Sequence, residues 1–363
     1  MIKILTVVGA RPQFIKAAVI SRAIREKYSN QVEEIIAHTG QHFDNKMSEV
    51  FFSELSINKP KYNLEIAGLS HGSMTGRMLE GIEKIINIEK PDYVLVYGDT
   101  NSTLAGALAA VKLHVKVLHV EAGLRSGNMN MPEEINRVVT DRISDILFCP
   151  TSAAVDLLRN EGITRNVFNV GDVMFDSSMY YLDIAQKSSK ILEKLEVNKQ
   201  FVLATCHRPV NTDNKSNLIE ILRALDHLSS EIQIVFPLHP RTKNIIDKYK
   251  ISYLLKNLII SEPLSYIDMV KLESNAELII TDSGGVQKEA YFYKIPCITM
   301  RDETEWKETL LGGSNVLVGS SYNKILSETK KILRNDSTFF EDEMAFGDAR
   351  AGYKIINQIL NAH

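Results

Sequence analysis

Two acidic residues follow apolar segments of the chain, at the points where buried β-strands are predicted to end. Asp99 follows the strand predicted at Asp92–Gly98, and Glu121 follows the strand predicted at Val115–Val120. A charged residue at the end of an apolar strand is costly unless it is used or paired. Carboxylates placed there can exchange protons with a ligand, because α/β proteins bind ligands at the carboxyl ends of their strands. Capping of the next helix, by Asp99 or by Thr100, is the alternative.

Two further acids lie at a predicted helix start. Pro132 opens the helix, and Glu133 and Glu134 lie in its first turn. The helix dipole favours acids at this position, and Glu133 and Arg137 also have the spacing of an ordinary i,i+4 pair. The sequence therefore leaves a catalytic role and a purely helix-starting role open for both acids.

The loop Gly9–Lys16, after the first predicted strand, has the features of a phosphate-binding turn. A glycine turn leads into a helix start, and Arg11 and Lys16 add positive charge. The loop lacks the GxGxxG pattern of dinucleotide-binding proteins. Arg11 and Lys16 as ordinary surface cations are the alternative.

A second glycine turn predicts a diphosphate site. Ser283, Gly284 and Gly285 stand between a predicted strand and a predicted helix, where bare backbone N–H groups can surround a diphosphate without obstruction by side chains. Glu289, more than one turn into the helix, is placed to accept hydrogen bonds from a ribose diol. A tight strand–helix turn without a ligand is the alternative.

A histidine and an arginine follow the first strand predicted in the second half of the chain. His207 and Arg208 are predicted to face a cleft between two domains, although a half-buried histidine with satisfied hydrogen bonds would give the same pattern. His42, His207 and His239 have no spacing typical of metal ligands, so no metal site is predicted.

The predicted elements form two α/β series that position these residues. Continuous apolar strands alternate with amphipathic helices, as in doubly wound parallel sheets. We predict an N-terminal Rossmann-like domain at 1–170, a C-terminal one at 171–345, and a last helix within 346–363. The first series has strands Ile2–Val8, Glu33–His38, Asp92–Gly98, Val115–Val120 and Asp145–Cys149, and helices Pro12–Tyr28, Asn45–Leu55, Gly72–Asn87 and Asn101–Leu113. The second has strands Phe201–Thr205, Gln233–Pro237, Asn257–Ser261, Glu277–Thr281, Pro296–Met300 and Ser314–Val318, and the last helix is predicted at Gly347–Asn361.

Length and composition narrow the class of protein. A chain of 363 residues favours two domains, because single cores rarely grow beyond roughly 250–300 residues. A net charge of −3 gives no electrostatic argument for nucleic acid or membrane partners. The sequence has no signal-peptide pattern and no apolar run that approaches the roughly 18 residues of a membrane span. Cys149, Cys206 and Cys297 have no CxxC spacing, which favours a reducing, cytoplasmic setting without disulfides.

Seven motifs, taken together, resemble the non-hydrolysing UDP-N-acetylglucosamine 2-epimerases, from the first strand to about Gly319. They are Gly9–Lys16 (GARPQFIK), Thr39–His42 (TGQH), Tyr97–Thr100 (YGDT), His119–Arg125 (HVEAGLR), Pro132–Arg137 (PEEINR), His207–Arg208 (HR) and Asp282–Glu289 (DSGGVQKE). The resemblance implies the GT-B-type fold, with two Rossmann-like domains facing a cleft and a C-terminal helix crossing back to the first domain. It also implies a homodimeric isomerase that needs no cofactor and no metal.

The resemblance further implies inversion of C2 of a UDP-linked sugar, for surface polysaccharide precursors such as those of the lipopolysaccharide O-antigen. A base removes the C2 proton while UDP leaves, and UDP then re-adds to the 2-acetamidoglucal as a proton reaches the other face of C2. With three acids in one dry site, we expect at least one raised pKa. The matching motif positions imply catalytic roles for Asp99, Glu121, Glu133 and His207, and substrate-binding roles for Arg11, Lys16, Arg137, Arg208, Ser283, Gly284, Gly285 and Glu289.

The substrate and the reaction class leave alternatives. Arg301–Trp306 and other segments look more like the branch acting on UDP-2,3-diacetamido-2,3-dideoxyglucuronate, and Leu64–Gly72 lacks the arginine of an activator site found in bacterial relatives. UDP-N-acetylglucosamine remains an equal alternative. A GT-B glycosyltransferase, a hydrolysing 2-epimerase and a non-catalytic UDP-sugar-binding regulator are the rival functions.

Overall fold

The computed structural model describes residues 1–41, 58–197, 200–334 and 344–363, and the side chain of Arg11 is outside this description. The helix predicted at Asn45–Leu55 and the residue His42 also lie outside the described residues. Contacts between Cα atoms divide the chain into unit 1, Met1–Ser177 with Met344–His363, and unit 2, Ser178–Glu343. The sequence-based boundaries, after residues 170 and 345, lie seven residues before and two residues after the observed ones.

Unit 1 contains a parallel sheet with helices between its strands. In its described part the strands are β1 (Ile2–Val8), β2 (Val32–His38), β3 (Tyr62–Asn63), β4 (Tyr93–Tyr97), β5 (Lys116–Val120), β6 (Ile146–Cys149) and β7 (Val167–Asn169). The helices are α1 (Arg11–Ala23, continued by a π-helical turn Ile24–Tyr28), α2 (His71–Glu89), α3 (Asn101–Lys112), α4 (Pro132–Ile143), α5 (Ser152–Asn160) and α6 (Val173–Ser188), which contains the division between the units.

The strand order of unit 1 brings the two predicted acidic loops together. The order is β3-β2-β1-β4-β5-β6-β7, so it reverses direction between β1 and β4. All five residues of β4 are buried, as expected of a parallel strand covered on both faces. Tyr97 pairs with Val120 in the register of β4 and β5, so Asp99 and Glu121 leave neighbouring strands at the same edge. This edge, next to the reversal, is where open α/β sheets bind ligands.

Unit 2 repeats this architecture. Its described strands are β8 (Phe201–Thr205), β9 (Gln233–Pro237), β10 (Ile259–Ser261), β11 (Leu278–Thr281), β12 (Cys297–Thr299) and β13 (Asn315–Leu317), in the order β10-β9-β8-β11-β12-β13. Its helices are α7 (Ile191–Lys194), α8 (Pro209–Thr212), α9 (Lys215–Leu228), α10 (Pro240–Tyr249), α11 (Tyr266–Glu273), α12 (Gly284–Phe292) and α13 (Tyr322–Leu333), with 3-10 turns at Ser252–Leu255 and Lys307–Leu310. Thr205 pairs with Thr281 at the reversal, so the loops after β8 and β11 are adjacent.

The C-terminal helix α14 (Ala351–Ala362) belongs to unit 1 and packs on α1. Gly352 makes this approach close, because a Cβ there would lie 2.8 Å from Val19 Cγ1, and the Tyr28 hydroxyl donates to Asn357 Oδ1 at 2.7 Å. The helix begins four residues later than predicted, since Gly347 and Ala349 have φ values of +92° and +57°, which interrupt a helix. The predicted fold class, two parallel α/β sheets with a returning C-terminal helix, is confirmed.

Two short strands, β3 and β7, were missed in the sequence. Each has only two or three residues at the outer edges of the sheet, which is too short for a periodic pattern. Among the described helices, none is both long and apolar enough to cross a membrane.

Candidate active site

Asp99 is held at the end of β4 by groups from helix α4. Its Oδ2 accepts a hydrogen bond from Arg137 Nη2 at 2.5 Å, and its backbone carbonyl accepts one from Asn136 Nδ2 at 2.8 Å. Thr100, rather than Asp99, caps helix α3, because its side chain accepts from the Thr103 N–H. The capping alternative for Asp99 is therefore wrong, and its carboxylate is available for another role.

The environment of Asp99 changes its acidity. Burial raises the pKa of Asp99, and the positive charges of Arg137 and Lys16 oppose this rise without cancelling it. The side chain keeps 31 % of its exposure, so the carboxyl group is crowded by protein while one side of it stays open to solvent. Asp99 thus has the raised pKa that we expected of at least one acid in the site.

Glu121 lies beside Lys16, whose ammonium group donates to Glu121 Oε2. Both side chains are largely buried, at 8 % and 10 % exposure. The backbone of Glu121 has a φ of +69°, in the left-handed region that residues with a Cβ rarely adopt. Such conformations cost about 1–3 kcal/mol and are concentrated at functional sites. The strain and the burial together support a functional role for this carboxylate.

Glu133 and Glu134 have different environments. Glu133 is exposed, whereas Glu134 is buried and accepts from the N–H groups of Ser126 (3.0 Å) and Gly127 (2.9 Å). Glu134 Oε2 also accepts from Arg137 Nη1 at 2.7 Å. Burial opposes ionisation of Glu134, but these donors outweigh it and lower its pKa. Glu134 therefore fixes the loop after Glu121 and orients Arg137.

These contacts define an acid cluster in unit 1. We use this name for Lys16, Asp99, Glu121, Glu134 and Arg137. The structure brings the predicted residues Lys16, Asp99, Glu121 and Arg137 together there. Glu134, to which the sequence assigned no role, is part of it.

The first glycine turn differs from a phosphate-binding loop. The N–H groups of Gly9 and Ala10 both donate to Gln13 Oε1, at 2.8 and 3.1 Å. Gln13 Nε2 in turn donates to the Tyr97 carbonyl at 2.9 Å. The two amides are therefore occupied by the buried side chain of Gln13 in helix α1, a contact that no sequence signal had identified.

In unit 2, a buried carboxylate holds the loop that carries His207. Asp282 accepts from the backbone N–H groups of His207 and Arg208, at 3.0 and 2.9 Å, and its Oδ1 lies 3.3 Å from His207 Nδ1. This arrangement directs the ring of His207 and leaves Nε2 to face away from Asp282. Asp282 was assigned no role from the sequence, although it ends an apolar strand, which is the signal that identified Asp99 and Glu121.

The predicted diphosphate loop forms the beginning of helix α12. We call Ser283, Gly284 and Gly285 the glycine cradle. Ser283 caps the helix by accepting from the Val286 N–H at 3.5 Å. A Cβ added at Gly285 would meet nothing closer than Ser283 Oγ, at 3.8 Å. Packing within the protein therefore does not explain a glycine at 285. A glycine there would allow a ligand to come close to the backbone.

Gly284 has a different reason to be glycine. A Cβ there would lie 2.5 Å from Glu305 Oε1. Glu305 Oε2 pairs with Arg301 Nη1 at 2.9 Å, and Arg208 Nη2 lies 3.8 Å from Glu305 Oε1. The cradle therefore has Arg208 and Arg301 nearby, with Glu305 between them. Glu289 is buried further along the same helix.

The other histidine considered in the sequence has a structural role. His239 Nδ1 caps helix α10 by accepting from the Arg241 N–H at 3.2 Å, and its ring lies 5.6 Å from that of His207. Within the residues that the structure describes, no group of three His, Cys, Asp or Glu side chains is arranged to hold a metal ion.

Known proteins are similar to this chain over nearly its whole length. A protein of Methanococcus maripaludis named UDP-N-acetylglucosamine 2-epimerase homolog is 52 % identical over 364 residues, 99 % of each chain. The UDP-2,3-diacetamido-2,3-dideoxy-D-glucuronate 2-epimerase of Pseudomonas aeruginosa is 50 % identical over 357 residues, 97 % of this chain and 98 % of that one. The crystal structure of Methanocaldococcus jannaschii UDP-GlcNAc 2-epimerase, in complex with UDP-GlcNAc and UDP, matches with a TM-score of 0.90 and 42 % identity over 100 % of both chains.

Two parallel α/β sheets with a returning C-terminal helix define a GT-B-like protein. The family model described as UDP-N-acetylglucosamine 2-epimerase matches residues 24–360. The chain belongs to this family, which confirms the resemblance seen in its motifs. It is therefore an isomerase acting on UDP-N-acetylhexosamine sugars.

Proposed function

We propose that the protein is a non-hydrolysing 2-epimerase that inverts C2 by elimination and re-addition of UDP. A base takes the C2 proton, the C–H electron pair forms the C1=C2 double bond, and UDP leaves C1 with the electrons of the C1–O bond. UDP then adds back to C1 of the 2-acetamidoglucal as C2 takes a proton on its opposite face. The sum is inversion at C2, with no net loss of a proton or of UDP.

The adjacent carboxylates of the acid cluster carry this proposal. Two faces of C2 require two proton carriers, and Asp99 and Glu121 end neighbouring strands with Lys16 close to both. Because the pKa of Asp99 is raised, its protonated form is more populated near neutral pH than that of an ordinary aspartate. Positioned acids and bases of this kind typically contribute about 10²–10⁴-fold each. We assign Glu133, at the start of helix α4, as a third acid–base group.

The second unit supplies the groups for the leaving diphosphate in this proposal. The glycine cradle offers backbone N–H groups at a helix N-terminus, and Arg208 and Arg301 lie beside it. His207, oriented by Asp282, is assigned to the catalytic set, and Glu289 to the ribose. Arg11 and Lys16 are assigned to the diphosphate end of the reacting sugar.

Proton NMR in D₂O tests the reaction. The protein is incubated with a UDP-linked 2-acetamido sugar, and we expect the C2 proton signal to disappear while a C2 epimer still linked to UDP accumulates. Release of free sugar would show a hydrolysing enzyme. Absence of exchange without an acceptor would indicate a transferase or a binding protein, and would overturn the proposal.

A matched pair of variants ties the reaction to the acid cluster. Glu121→Gln removes the carboxylate beside Lys16 and should lower the exchange rate by about 10²–10⁴-fold. Glu80→Gln is the control, because Glu80 is an exposed glutamate of unit 1 whose carboxylate pairs with Lys84 at 2.7 Å. Equal rates in the two variants would remove Glu121 from the mechanism.

For the sugar we propose UDP-2,3-diacetamido-2,3-dideoxyglucuronate. The relative named for this substrate is 50 % identical over 97 % of the chain, whereas relatives named UDP-N-acetylglucosamine 2-epimerase are 43 % identical. The 52 % identical protein is named only as a homolog of that enzyme. We therefore expect a higher kcat/KM for the diacetamido sugar than for UDP-GlcNAc in the same NMR assay. The reverse order would change the substrate and leave the epimerase proposal intact.

We also propose that the enzyme works as a homodimer and supplies surface polysaccharide precursors, as the family resemblance implies. Sedimentation equilibrium of the purified chain should then give twice its mass of 40.9 kDa.

A further inference from the structure

His119 is a fully buried histidine in strand β5, two residues before Glu121. Its ring connects the loop after β4, which carries Asp99, to helix α4, which carries Glu134 and Arg137. Nε2 lies 2.8 Å from the carbonyl oxygen of Gly98, and Nδ1 lies 2.7 Å from Asp141 Oδ1 in helix α4. The proposed reaction has no proton step at this ring, so its place inside an apolar strand needs another explanation.

Both ring nitrogens of His119 face hydrogen-bond acceptors. The Gly98 carbonyl accepts and cannot donate, and an ionised Asp141 also only accepts. Burial opposes ionisation of Asp141, but the hydrogen bond and charge of His119, together with Arg125, outweigh it and lower its pKa. A lone pair on Nε2 would face the lone pairs of the Gly98 carbonyl oxygen. The geometry therefore requires a hydrogen on Nε2, which donates to Gly98.

Asp141 extends this connection to the far side of Glu121. Its Oδ2 accepts from the Gly123 N–H at 3.1 Å and from Arg125 Nη1 at 2.7 Å. One carboxylate thus holds the residue two before Glu121 and the residue two after it. This support on both sides helps to maintain the left-handed backbone of Glu121.

Gly98, which His119 contacts, lies directly beside the side chains of Glu121 and Lys16. Gly98 has a φ of +64°, and a Cβ there would lie 3.0 Å from Glu121 Oε2 and 3.3 Å from Lys16 Nζ. The Gly98 carbonyl belongs to the peptide bond that joins Gly98 to Asp99. Any rotation of this peptide would move the Asp99 carboxylate relative to Glu121.

We infer that His119 is a positioning residue, which fixes the Gly98–Asp99 peptide relative to Glu121 through its Nε2–H bond to the Gly98 carbonyl. This inference rests on the proposed function, because it assigns both carboxylates to one proton-transfer site. Asp141 holds the ring in place from the opposite nitrogen. The expected consequence is that the bond to Gly98, more than the bond to Asp141, controls the rate of C2 proton exchange.

Two substitutions separate the two bonds of the ring. In His119→Gln the amide nitrogen takes the place of Nε2, so it can donate to Gly98 but not to Asp141. In His119→Asn the amide nitrogen takes the place of Nδ1, so it can donate to Asp141 but does not reach Gly98. Both variants remove the ring, and Asn leaves a larger cavity because its side chain is one methylene shorter than that of Gln. Tm is therefore measured for both variants, to separate loss of packing from loss of a hydrogen bond.

The two variants should have different effects on turnover. His119→Asn should lower kcat for C2 exchange about 100-fold, the scale of loss for a displacement of about 1 Å in a reacting group. His119→Gln should keep kcat within about threefold of the wild-type value, because it restores the bond to Gly98. KM, and the Kd for UDP measured by calorimetry, should change little in either variant, since the glycine cradle belongs to unit 2.

A purely structural histidine would give another result. Equal losses of kcat in the two variants, in parallel with equal losses in Tm, would overturn the inference, as would normal kcat in His119→Asn. Exchange by the wild-type protein is the reference for both. Its absence would instead show that the proposed function is wrong.

The wild-type protein allows a test without activity. Selective ¹⁵N labelling of the histidine rings, with His119→Gln to assign the His119 signals, should show a hydrogen on Nε2 of His119. A His119 ring without a hydrogen on Nε2 would contradict the bond to Gly98. This measurement stands even if His119→Asn does not fold.

Discussion

Glu133 and Glu134 are neighbours in sequence with opposite surroundings. Glu134 is buried and bonded to two backbone N–H groups and to Arg137, whereas Glu133 is exposed at the helix start. From sequence alone both could be catalytic or helix-starting. The structure distinguishes them, because a helix turn separates adjacent side chains by about 100° and directs one inward and one outward.

The two acids should therefore respond differently to the same substitution. Glu134→Gln leaves loop N–H groups and Arg137 with a poorer acceptor and should lower the free energy of unfolding by about 1–3 kcal/mol. Glu133→Gln should change it by less than about 0.5 kcal/mol. Because Glu133 is proposed as an acid–base group, Glu133→Gln should nevertheless lower the rate of C2 proton exchange by about 10²–10⁴-fold.

Urea unfolding and the NMR exchange assay, run on both variants, test this contrast. A stable and active Glu133→Gln would remove Glu133 from the catalytic set. A Glu134→Gln as stable as the wild type would show that its three hydrogen bonds contribute little.

At the scale of elements, the C-terminal helix α14 begins on a buried acid from helix α6. Asp176 Oδ1 accepts from the Ala351 N–H at 3.0 Å, and Oδ2 accepts from the Gly352 N–H at 2.9 Å. Burial raises the pKa of Asp176 to about 6 despite these two bonds. The helix is therefore attached to unit 1 through a group that titrates near neutral pH.

This attachment predicts a pH dependence of stability. The folded pKa of about 6 lies above the ordinary aspartate value of 3.8, so the native state binds the proton more tightly than the unfolded state. The protonated Asp176 carboxyl group therefore adds to the free energy of unfolding, by about 3 kcal/mol. This stabilisation is fully present below the unfolded pKa and is lost as the pH rises through about 6. Asp176→Asn cannot titrate, so its stability relative to the wild type should increase by most of this amount between pH 4 and pH 7.

Urea unfolding at several pH values measures this difference. Asp348→Asn is the control, because a hydrogen bond from Lys354 lowers the pKa of Asp348. The stability of Asp348→Asn relative to the wild type should instead decrease as the pH rises, and this change should appear at the acid end of the pH range. A flat difference for Asp176→Asn would show that Asp176 titrates normally in the folded protein.

At the scale of the whole molecule, the chain has a glycine turn after the first strand of unit 1 and another before helix α12 of unit 2. The sequence predicted phosphate binding at both. In unit 1 the amides of Gly9 and Ala10 are occupied by Gln13, whereas Gly285 in the glycine cradle has open space around its Cα. The diphosphate should therefore be bound by the amides of unit 2.

Hydrogen–deuterium exchange of the intact protein should show this difference. We expect UDP to slow exchange in a peptide covering Ser283–Val286 and to leave the amides of Gly9 and Ala10 unchanged, since their hydrogen bonds are already formed. Gly285→Ala should abolish the protection while leaving Tm unchanged, because the added methyl group meets no atom closer than 3.8 Å. Protection at Gly9 in place of Ser283–Val286 would assign the diphosphate to the other turn.

Much of the fold was predictable because its signals are local. Buried parallel strands are continuous apolar runs, so β1, β8 and β9 were predicted with the bounds that the structure shows. The acids that end such runs, Asp99 and Glu121, were recognisable for the same reason. The short edge strands and the late start of α14 were not, since they depend on pairing and on left-handed residues without a periodic pattern.

The sequence by itself determined the fold class, the family and most of the candidate residues, because apolar periodicity and motif identity are properties of neighbouring residues. Only the tertiary structure decided which groups meet. Glu134 supports Arg137, Gln13 occupies the amides of the first glycine turn, Asp282 directs His207, and His119 joins Gly98 to Asp141. These pairings connect residues on different strands and helices, and hydrogen-bond geometry over such distances is set by packing, which no local pattern encodes.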